Sequence, residues 1–142
     1  MTDHLTVLYV EDEESDVLLM ELAFRRAGLG QALQAVGNGQ EAIDYLSGSG
    51  AYADRAQHPL PRVVLLDLNL PLISGFEVLR WLKGQPGLGN LPAVVFTSSS
   101  REEDRLRALG LGASDYVEKP NSTAQLSRVV EDLRQRWLLQ TE

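Results

Sequence analysis

The sequence predicts an α/β fold built on a parallel β-sheet with helices on both faces. Three observations carry that prediction. The first is the run Arg62-Val63-Val64-Leu65-Leu66-Asp67-Leu68-Asn69-Leu70-Pro71, in which an apolar stretch leads directly into a carboxylate and a proline closes the segment. A short, continuous apolar run of this kind reads as a central parallel strand covered on both sides. The second is that other apolar runs along the chain also end in charged or hydroxyl-bearing residues. The third is the alternation of these runs with segments of helical periodicity, five of each, which makes the crossovers right-handed and places all strand ends on one side. Open α/β folds bind ligands at that carboxyl edge, so Asp67 stands where function is expected.

Composition narrows the class. The 142 residues show no compositional break, which predicts one domain spanning 1–142 with a core large enough to need no staples. The net charge of -7 argues against a broad nucleic-acid footprint. The absence of cysteine excludes disulfide scaffolds and thiolate metal sites. Met1-Thr2-Asp3-His4 lacks a basic leader, and no apolar run reaches the length of a membrane span, so a cytoplasmic protein without membrane contact is expected.

The first strand, Leu5 to Val10, opens into Glu11-Asp12-Glu13-Glu14. Clustered carboxylates repel one another, and a hard cation bound by several oxygens relieves this better than a helix dipole does. Glu13 and Glu14 suit a first helical turn, whereas Glu11 and Asp12 fit either reading at this stage. The helix runs from about Glu14 to Ala27 on a stripe of Val17, Met20, Phe24 and Ala27, widened by Leu18 and Leu22, and Gly28 stops it. Gly28 and Gly30 follow a helix, not a strand, and so form no dinucleotide fingerprint. Gln31 to Val36 is a less apolar strand expected near a sheet edge. Gly37-Asn38-Gly39 turns the chain into a helix containing Ala42, Ile43 and Leu46. Ser47 to Pro61 reads as a surface loop, decorated or carrying a short extra turn, and is long for a connection in a compact domain. His58 within it, like His4, has no companions for a metal site.

After Asp67, Pro71 enforces an irregular loop able to turn a main-chain carbonyl toward a cation. Ser74 caps the next helix, with Phe76, Leu79 and Leu82 on one side and Trp81 as a packing residue, and Gly84 to Gly89 ends it. The fourth strand, Leu91 to Thr97, leads into Thr97-Ser98-Ser99-Ser100. Ser100 is expected to cap the following helix, with Glu102 and Glu103 in its first turn. Thr97 lies too early to cap and is a candidate contact for bound oxyanions. Leu106 and Leu109 are expected to face inward, with Gly110 and Gly112 ending the helix. The fifth strand, Ser114 to Glu118, delivers Lys119 to the acidic edge, and Lys119-Pro120 is a candidate for cis geometry. The last helix spans about Thr123 to Gln140 on Leu126, Val129, Val130, Leu133 and Trp137. Leu138 and Leu139 extend its apolar surface, which is either a dimer or partner contact or ordinary packing.

In this fold class Glu11, Asp12, Asp67, Thr97 and Lys119 converge, although periodicity leaves the strand order open. Carboxylates without histidine or cysteine suit Mg2+, with retained waters and phosphate oxygens. A general acid/base pair needs one acid held neutral, which a cation and Lys119 oppose. Asp67 is better placed as a nucleophile on a phosphoryl group, with Lys119 neutralising oxygens and Thr97 donating to one of them. The product adds roughly 1 to 1.5 negative charges and can bias a packing equilibrium.

These residues carry a resemblance. The acidic pair Glu11-Asp12 after strand one, Asp67 after strand three, Pro71 and Gly75 downstream, Thr97 after strand four and Lys119-Pro120 after strand five resemble the response-regulator receiver domain of two-component signalling over essentially the whole chain. The resemblance implies a flavodoxin-like (βα)5, doubly wound five-stranded sheet of order 2-1-3-4-5. It implies that Asp67 accepts a phosphoryl group from a sensor histidine kinase. It also implies that Glu11, Asp12, Asp67 and the Asn69 backbone carbonyl surround Mg2+, a site that Mn2+ or Ca2+ could occupy. Thr97 and Tyr116 match the family's switch pair, Tyr116 changing between outward and inward rotamers. Glu11 departs from the more common aspartate, so its metal contact is direct or through water. The Ser47–Pro61 insertion, Asp67-Leu68-Asn69-Leu70-Pro71, the Thr97 to Ser100 run and the tryptophan in the last helix are similar to small single-domain regulators that accompany bacterial or cyanobacterial phytochrome kinases.

With no DNA-binding helix pair within the chain and no output domain expected after residue 142, output is expected through protein contacts or relay to a downstream phosphotransfer protein. By the same resemblance, helix four, strand five and helix five form a homodimer face, and helix one with the loop after strand five meets the kinase. The chain is expected to be a phosphoacceptor with slow self-dephosphorylation, not an enzyme. Two rivals are a magnesium-dependent aspartyl-nucleophile phosphohydrolase and a phosphorylation-independent adaptor. The first wants a second acid where Asn69 stands, and the second leaves Asp67, Thr97 and Lys119 without a task.

Overall fold

The apolar runs become strands where expected. A computed structural model describes residues 6–138 and contains β1 (Val7–Val10), β2 (Leu33–Val36), β3 (Val63–Leu66), β4 (Ala93–Thr97) and β5 (Asp115–Glu118). All neighbouring pairs are parallel, in the order β2-β1-β3-β4-β5. The helices α1 (Glu14–Arg26), α2 (Gly39–Ser47), α3 (Gly75–Lys83), α4 (Glu102–Gly110) and α5 (Thr123–Leu133) alternate with the strands. This is the doubly wound, flavodoxin-like arrangement. Strand β3 lies at its centre with all four residues at 0% exposure, which accounts for its unbroken apolar sequence. Expected strands β2, β4 and β5 begin slightly later than read from the sequence, and Leu5 and His4 lie outside the described residues.

Strand alternation divides the core into two layers. Leu8, Val10, Val64, Leu66, Ala93 and Val95 pack toward Ala42, Leu46, Val78, Leu79, Leu82 and Ala108 of α2, α3 and α4. Val7, Tyr9, Val63, Leu65, Val94 and Phe96 pack toward Met20, Ala23 and Phe24 of α1 and Leu126, Val130 and Leu133 of α5. Helix ends obey local chemistry. The Asn38 side chain accepts from Glu41 N–H to cap α2 at 2.8 Å, Ser74 forms a reciprocal capping box with Glu77 on α3, and Ser122 caps α5. Gly28, at φ 79°, closes α1 as its sequence position predicted, with Leu29 N–H returning to the Phe24 carbonyl.

Several expectations need correction. Leu18 is 64% exposed and does not widen the buried stripe of α1, because it lies about 200° around the helix from the buried Met20. Leu106 is 57% exposed for the same reason: the buried residue of α4 is Ala108, two positions on, while Leu109 is half-buried. Ser100 does not cap α4. Ser99 does the local work instead, its Oγ accepting from Arg101 N–H and donating to the Asp104 carboxylate at 2.7 Å. The Lys119–Pro120 bond is trans, as are all peptide bonds among the described residues, in keeping with the lower energy of trans even before proline. Leu138 is 2% exposed and belongs to the α1/α5 core, so it is no surplus surface. Its placement follows from a π-helical turn over Arg134–Leu138, whose wider winding rotates Leu138 inward relative to an α-helical continuation. Leu139 and Gln140 lie outside the described residues.

The Ser47–Pro61 segment is more ordered than a bare loop. It carries a 3₁₀ turn at Gly50–Tyr52, and the Arg55 guanidinium donates to the carbonyls of Tyr45, Leu46 and His58 at 2.7, 2.9 and 3.1 Å. Two of those carbonyls belong to the last turn of α2, where a cation is favoured. Tyr45 Oη donates to the Pro59 carbonyl at 2.8 Å, and the His58 ring packs edge-on against Tyr45 and Tyr52. His58 is thus an aromatic packing residue. Among the described residues, no helix is long and apolar enough to cross a membrane.

Candidate functional site

The parallel ladder sets the level of every strand end. Val10 pairs with Leu66 and Leu66 with Val95, and the ladder runs one step further, with Glu11 N–H donating to the Val36 carbonyl and Asp67 N–H to the Val10 carbonyl. Glu11 and Asp67 therefore leave adjacent strands at one height. On the other side Thr97 pairs with Glu118, and Lys119 N–H donates to the Thr97 carbonyl at 2.7 Å. Residues far apart in sequence meet because neighbouring parallel strands stop together.

Lys119 is the centre of the site. Its Nζ donates to Glu11 Oε1 at 2.7 Å, to Asp16 Oδ2 at 2.9 Å and to Asp67 Oδ2 at 3.2 Å. The Glu11 and Asp67 side chains are 0% and 6% exposed, so these are buried ion pairs. Burial works to lower the Lys119 pKa, but hydrogen bonds to Glu11 and Asp16 and the charges of Asp67 and Glu11 outweigh it and hold the ammonium above its ordinary range. Burial likewise pushes the Glu11 carboxyl upward, against the hydrogen bonds from Lys119 and Glu13 N–H that pull it down. Glu11 is oriented on both oxygens: Oε1 also accepts from the buried Tyr9 hydroxyl at 3.3 Å, and Oε2 from Glu13 N–H at 3.1 Å. The Tyr9 pKa is raised, first by burial and then by the charge of Glu11.

Glu11, Asp12 and Asp67 can each offer one carboxylate oxygen within 4.8 Å of the others, with Asp12 exposed and the other two buried. An all-oxygen donor set without histidine or cysteine fits a hard divalent cation such as Mg2+. A cation there would supply positive charge beside Asp67 for the oxygens of an incoming phosphoryl group. Asn69 is exposed at the rim, and its N–H donates to Asp67 Oδ1 at 3.3 Å.

The remaining predicted residues flank this centre. Thr97 is wholly buried at the end of β4, and its hydroxyl accepts from Ser99 N–H at 3.4 Å. Tyr116 is half-buried in β5 and donates its hydroxyl to the Ser99 carbonyl at 3.0 Å, tying β5 to the loop after β4. Gly75 lies so close to the backbone of Asp67 that a Cβ would meet the Asp67 carbonyl oxygen and come within 2.7 Å of Leu68 Cα. The start of α3 thus braces the loop that carries Asp67, and Gly75 N–H donates to the Leu68 carbonyl at 3.0 Å. In that loop Leu72 has φ 70° and is 81% exposed; it is the one non-glycine residue with positive φ among those described. The sequence reading missed Asp16 and Tyr9. Asp16 looks like any first-turn helix acid, and Tyr9 like any strand aromatic.

A five-stranded parallel sheet of this order, with an acidic triad and a lysine at its carboxyl edge, defines a response-regulator receiver domain. Residues 7–131 match the response regulator receiver domain family, and the chain belongs to it. The chain is 37% identical over 139 residues to the probable methanogenesis regulatory protein FilR2 of Methanothrix harundinacea, a match covering 96% of this chain and 85% of that one. Among solved structures it is similar to the phosphorylated cyanobacterial phytochrome response regulator RcpA, with a TM-score of 0.87 and 32% identity over 99% of this chain and 98% of that one. It is also similar to response regulator RPA3017 in red light signaling of R. palustris, with a TM-score of 0.88 and 31% identity over 96% of each chain. The chain is thus closely related to phytochrome-associated response regulators.

Proposed function

We propose that this chain is a cytoplasmic phosphoacceptor for a histidine kinase of the phytochrome class, that Asp67 is the acceptor, and that the single domain signals through protein contacts. The observation that carries the reading is the Lys119 ammonium bound at once to Asp67 and Glu11 in a buried, acid-rich strand edge. In the transfer, one Asp67 carboxylate oxygen forms the new P–O bond while the P–N bond of the donor phosphohistidine breaks, and the leaving imidazole nitrogen takes up a proton. Lys119 follows the charge from the carboxylate to a phosphoryl oxygen, and the Thr97 hydroxyl turns toward another. Glu11, Asp12, Asp67 and the Asn69 carbonyl are the groups that would hold the cation.

Movement of Thr97 frees the space beside Ser99, whose carbonyl holds the Tyr116 hydroxyl, so the tyrosine rotamer and the β4–α4 loop report on the state of Asp67. Output runs through a face formed by α4, β5 and α5. Exposed Leu106 and the Arg105–Glu102 and Arg136–Asp115 ion pairs suit this face to a second copy of the chain. Kinase contact falls to α1, with its exposed Leu18 and Leu19, and to the loop after β5. A downstream phosphotransfer protein would use that same approach to Asp67. The similarity to RcpA and to RPA3017 over nearly the whole length of each supports the phytochrome assignment.

The test is intact mass after incubation with Mg2+ and a small acyl-phosphate donor. One added phosphoryl group in the native chain and none in Asp67→Asn is expected; an equal shift in the variant would move the chemistry elsewhere. Light-scattering mass with and without the donor reads the dimer.

A further inference from the structure

Lys119 has three N–H donors and meets three carboxylates, and these do not play equal parts. Glu11 and Asp67 belong to the group of acids able to hold a divalent cation; Asp16 does not. Asp16 comes from a different element, the first turn of α1, where the helix dipole favours a carboxylate. Its side chain is 33% exposed, so its charge remains partly hydrated and is held at little desolvation cost. Its bond to Lys119, 2.9 Å, is shorter than the 3.2 Å bond that Lys119 makes to Asp67. The Lys119 main chain is already fixed by its N–H bond to the Thr97 carbonyl, and only the four-carbon side chain remains to be oriented.

We propose that Asp16 is a positioning residue for Lys119: it anchors the ammonium from the α1 side, so that an N–H stays directed at Asp67 when Glu11 and Asp67 engage a cation. This rests on the reading that Lys119 serves the phosphoryl group on Asp67. With cation and phosphoryl group both drawing on Glu11 and Asp67, Asp16 is the acceptor that neither competes for. Without it, a long flexible side chain in a crowded acidic site must find its geometry during the reaction. Rates are sensitive to such misplacement: about 1 Å can cost on the order of a hundredfold.

The sequence makes a direct test possible, because Lys83 and Lys119 are the only lysines in the chain. Lys83 bonds to the carbonyls of Gly89 and Leu91 and serves as an internal reference. In the full chain labelled with 15N-lysine, the Lys119 ammonium resonance should lose protection from solvent exchange in Asp16→Ala, while that of Lys83 is unchanged. With Mg2+ and acetyl phosphate, the phosphorylation rate at saturating donor should fall on the order of tenfold, with donor half-saturation unmoved. Asp16→Glu, which keeps the charge on a longer arm, should recover part of both. An unaltered Lys119 resonance in Asp16→Ala, or a rate within about twofold of native, overturns the proposal. A Lys119→Ala control separates the two levels. If it phosphorylates at the native rate, the underlying reading of Lys119 fails; if it is slow while Asp16→Ala is not, only the role of Asp16 fails.

Discussion

Replacing Lys119 by alanine tests the electrostatics of the site more sharply than replacing Asp67. The native edge holds Glu11, Asp16 and Asp67 on a single ammonium, with Asp12 beside them. Without the lysine, two carboxylates that are 0% and 6% exposed keep no cationic partner among the described residues. Stranding a buried charge costs about 3–5 kcal/mol, and the lower end applies because protonation or water entry relieves part of it. The half-buried Asp16 pair, still partly hydrated, adds about 1 kcal/mol. A loss of about 3 kcal/mol in a chain of this size lowers the melting temperature by roughly 10 °C. Thermal unfolding in EDTA should show that drop for Lys119→Ala. Saturating Mg2+ should then raise the variant by more degrees than the native protein, since the cation supplies the charge that the lysine no longer does. Equal melting temperatures in EDTA, or equal gains from Mg2+, would refute the argument that Lys119 is the neutralising charge of this edge.

Three further outcomes follow from particular residues. Gly75→Ala places a Cβ against the Asp67 carbonyl and Leu68 Cα, where only backbone can give way; it should slow phosphorylation and lower the melting temperature, read by intact mass and calorimetry. Leu72→Asn should raise stability by about 1 kcal/mol in urea unfolding, because asparagine tolerates the positive φ at which the exposed leucine is held. The raised Lys119 pKa stabilises the fold most fully below the ordinary lysine value of 10.5, and that contribution is lost as pH rises through the higher folded value. Alkaline unfolding should therefore lose this component in Lys119→Ala and keep it in the native chain.

Most of the site could be read from sequence because each residue occupies a position that a one-dimensional pattern marks. Glu11, Asp67 and Thr97 each come at the end of an apolar run, Lys119 follows the more polar strand β5, and parallel pairing brings such strand ends together. Gly75 was legible only through the family pattern; its physical reason, the backbone of Asp67 against the start of α3, needs coordinates. Asp16 escaped because a first-turn acid has an adequate local explanation. A sharper signal was available: it stands on the turn that directly follows the acidic strand end, in reach of whatever cation lies there. The inward directions given to Leu18 and Leu106 failed because α1 and α4 each carry more than one leucine, and the sequence does not say which arc meets the sheet. Arg55 and Tyr45 brace the long α2–β3 segment through side-chain bonds to carbonyls, a type of contact that leaves no periodic trace.

By itself, then, the sequence determined the five strands and the five helices that alternate with them, the parallel sense of the sheet and the chemical identity of its acidic edge. These follow from local steric preference and from the period at which apolar side chains recur, both properties of a single segment. Tertiary structure alone decided that Lys119 is shared among three acids, that Leu138 turns into the core through a π turn, and which leucines remain in water. Those outcomes depend on packing and electrostatic energies between segments as distant as Glu11 and Lys119, and such energies exist only once the elements have come together.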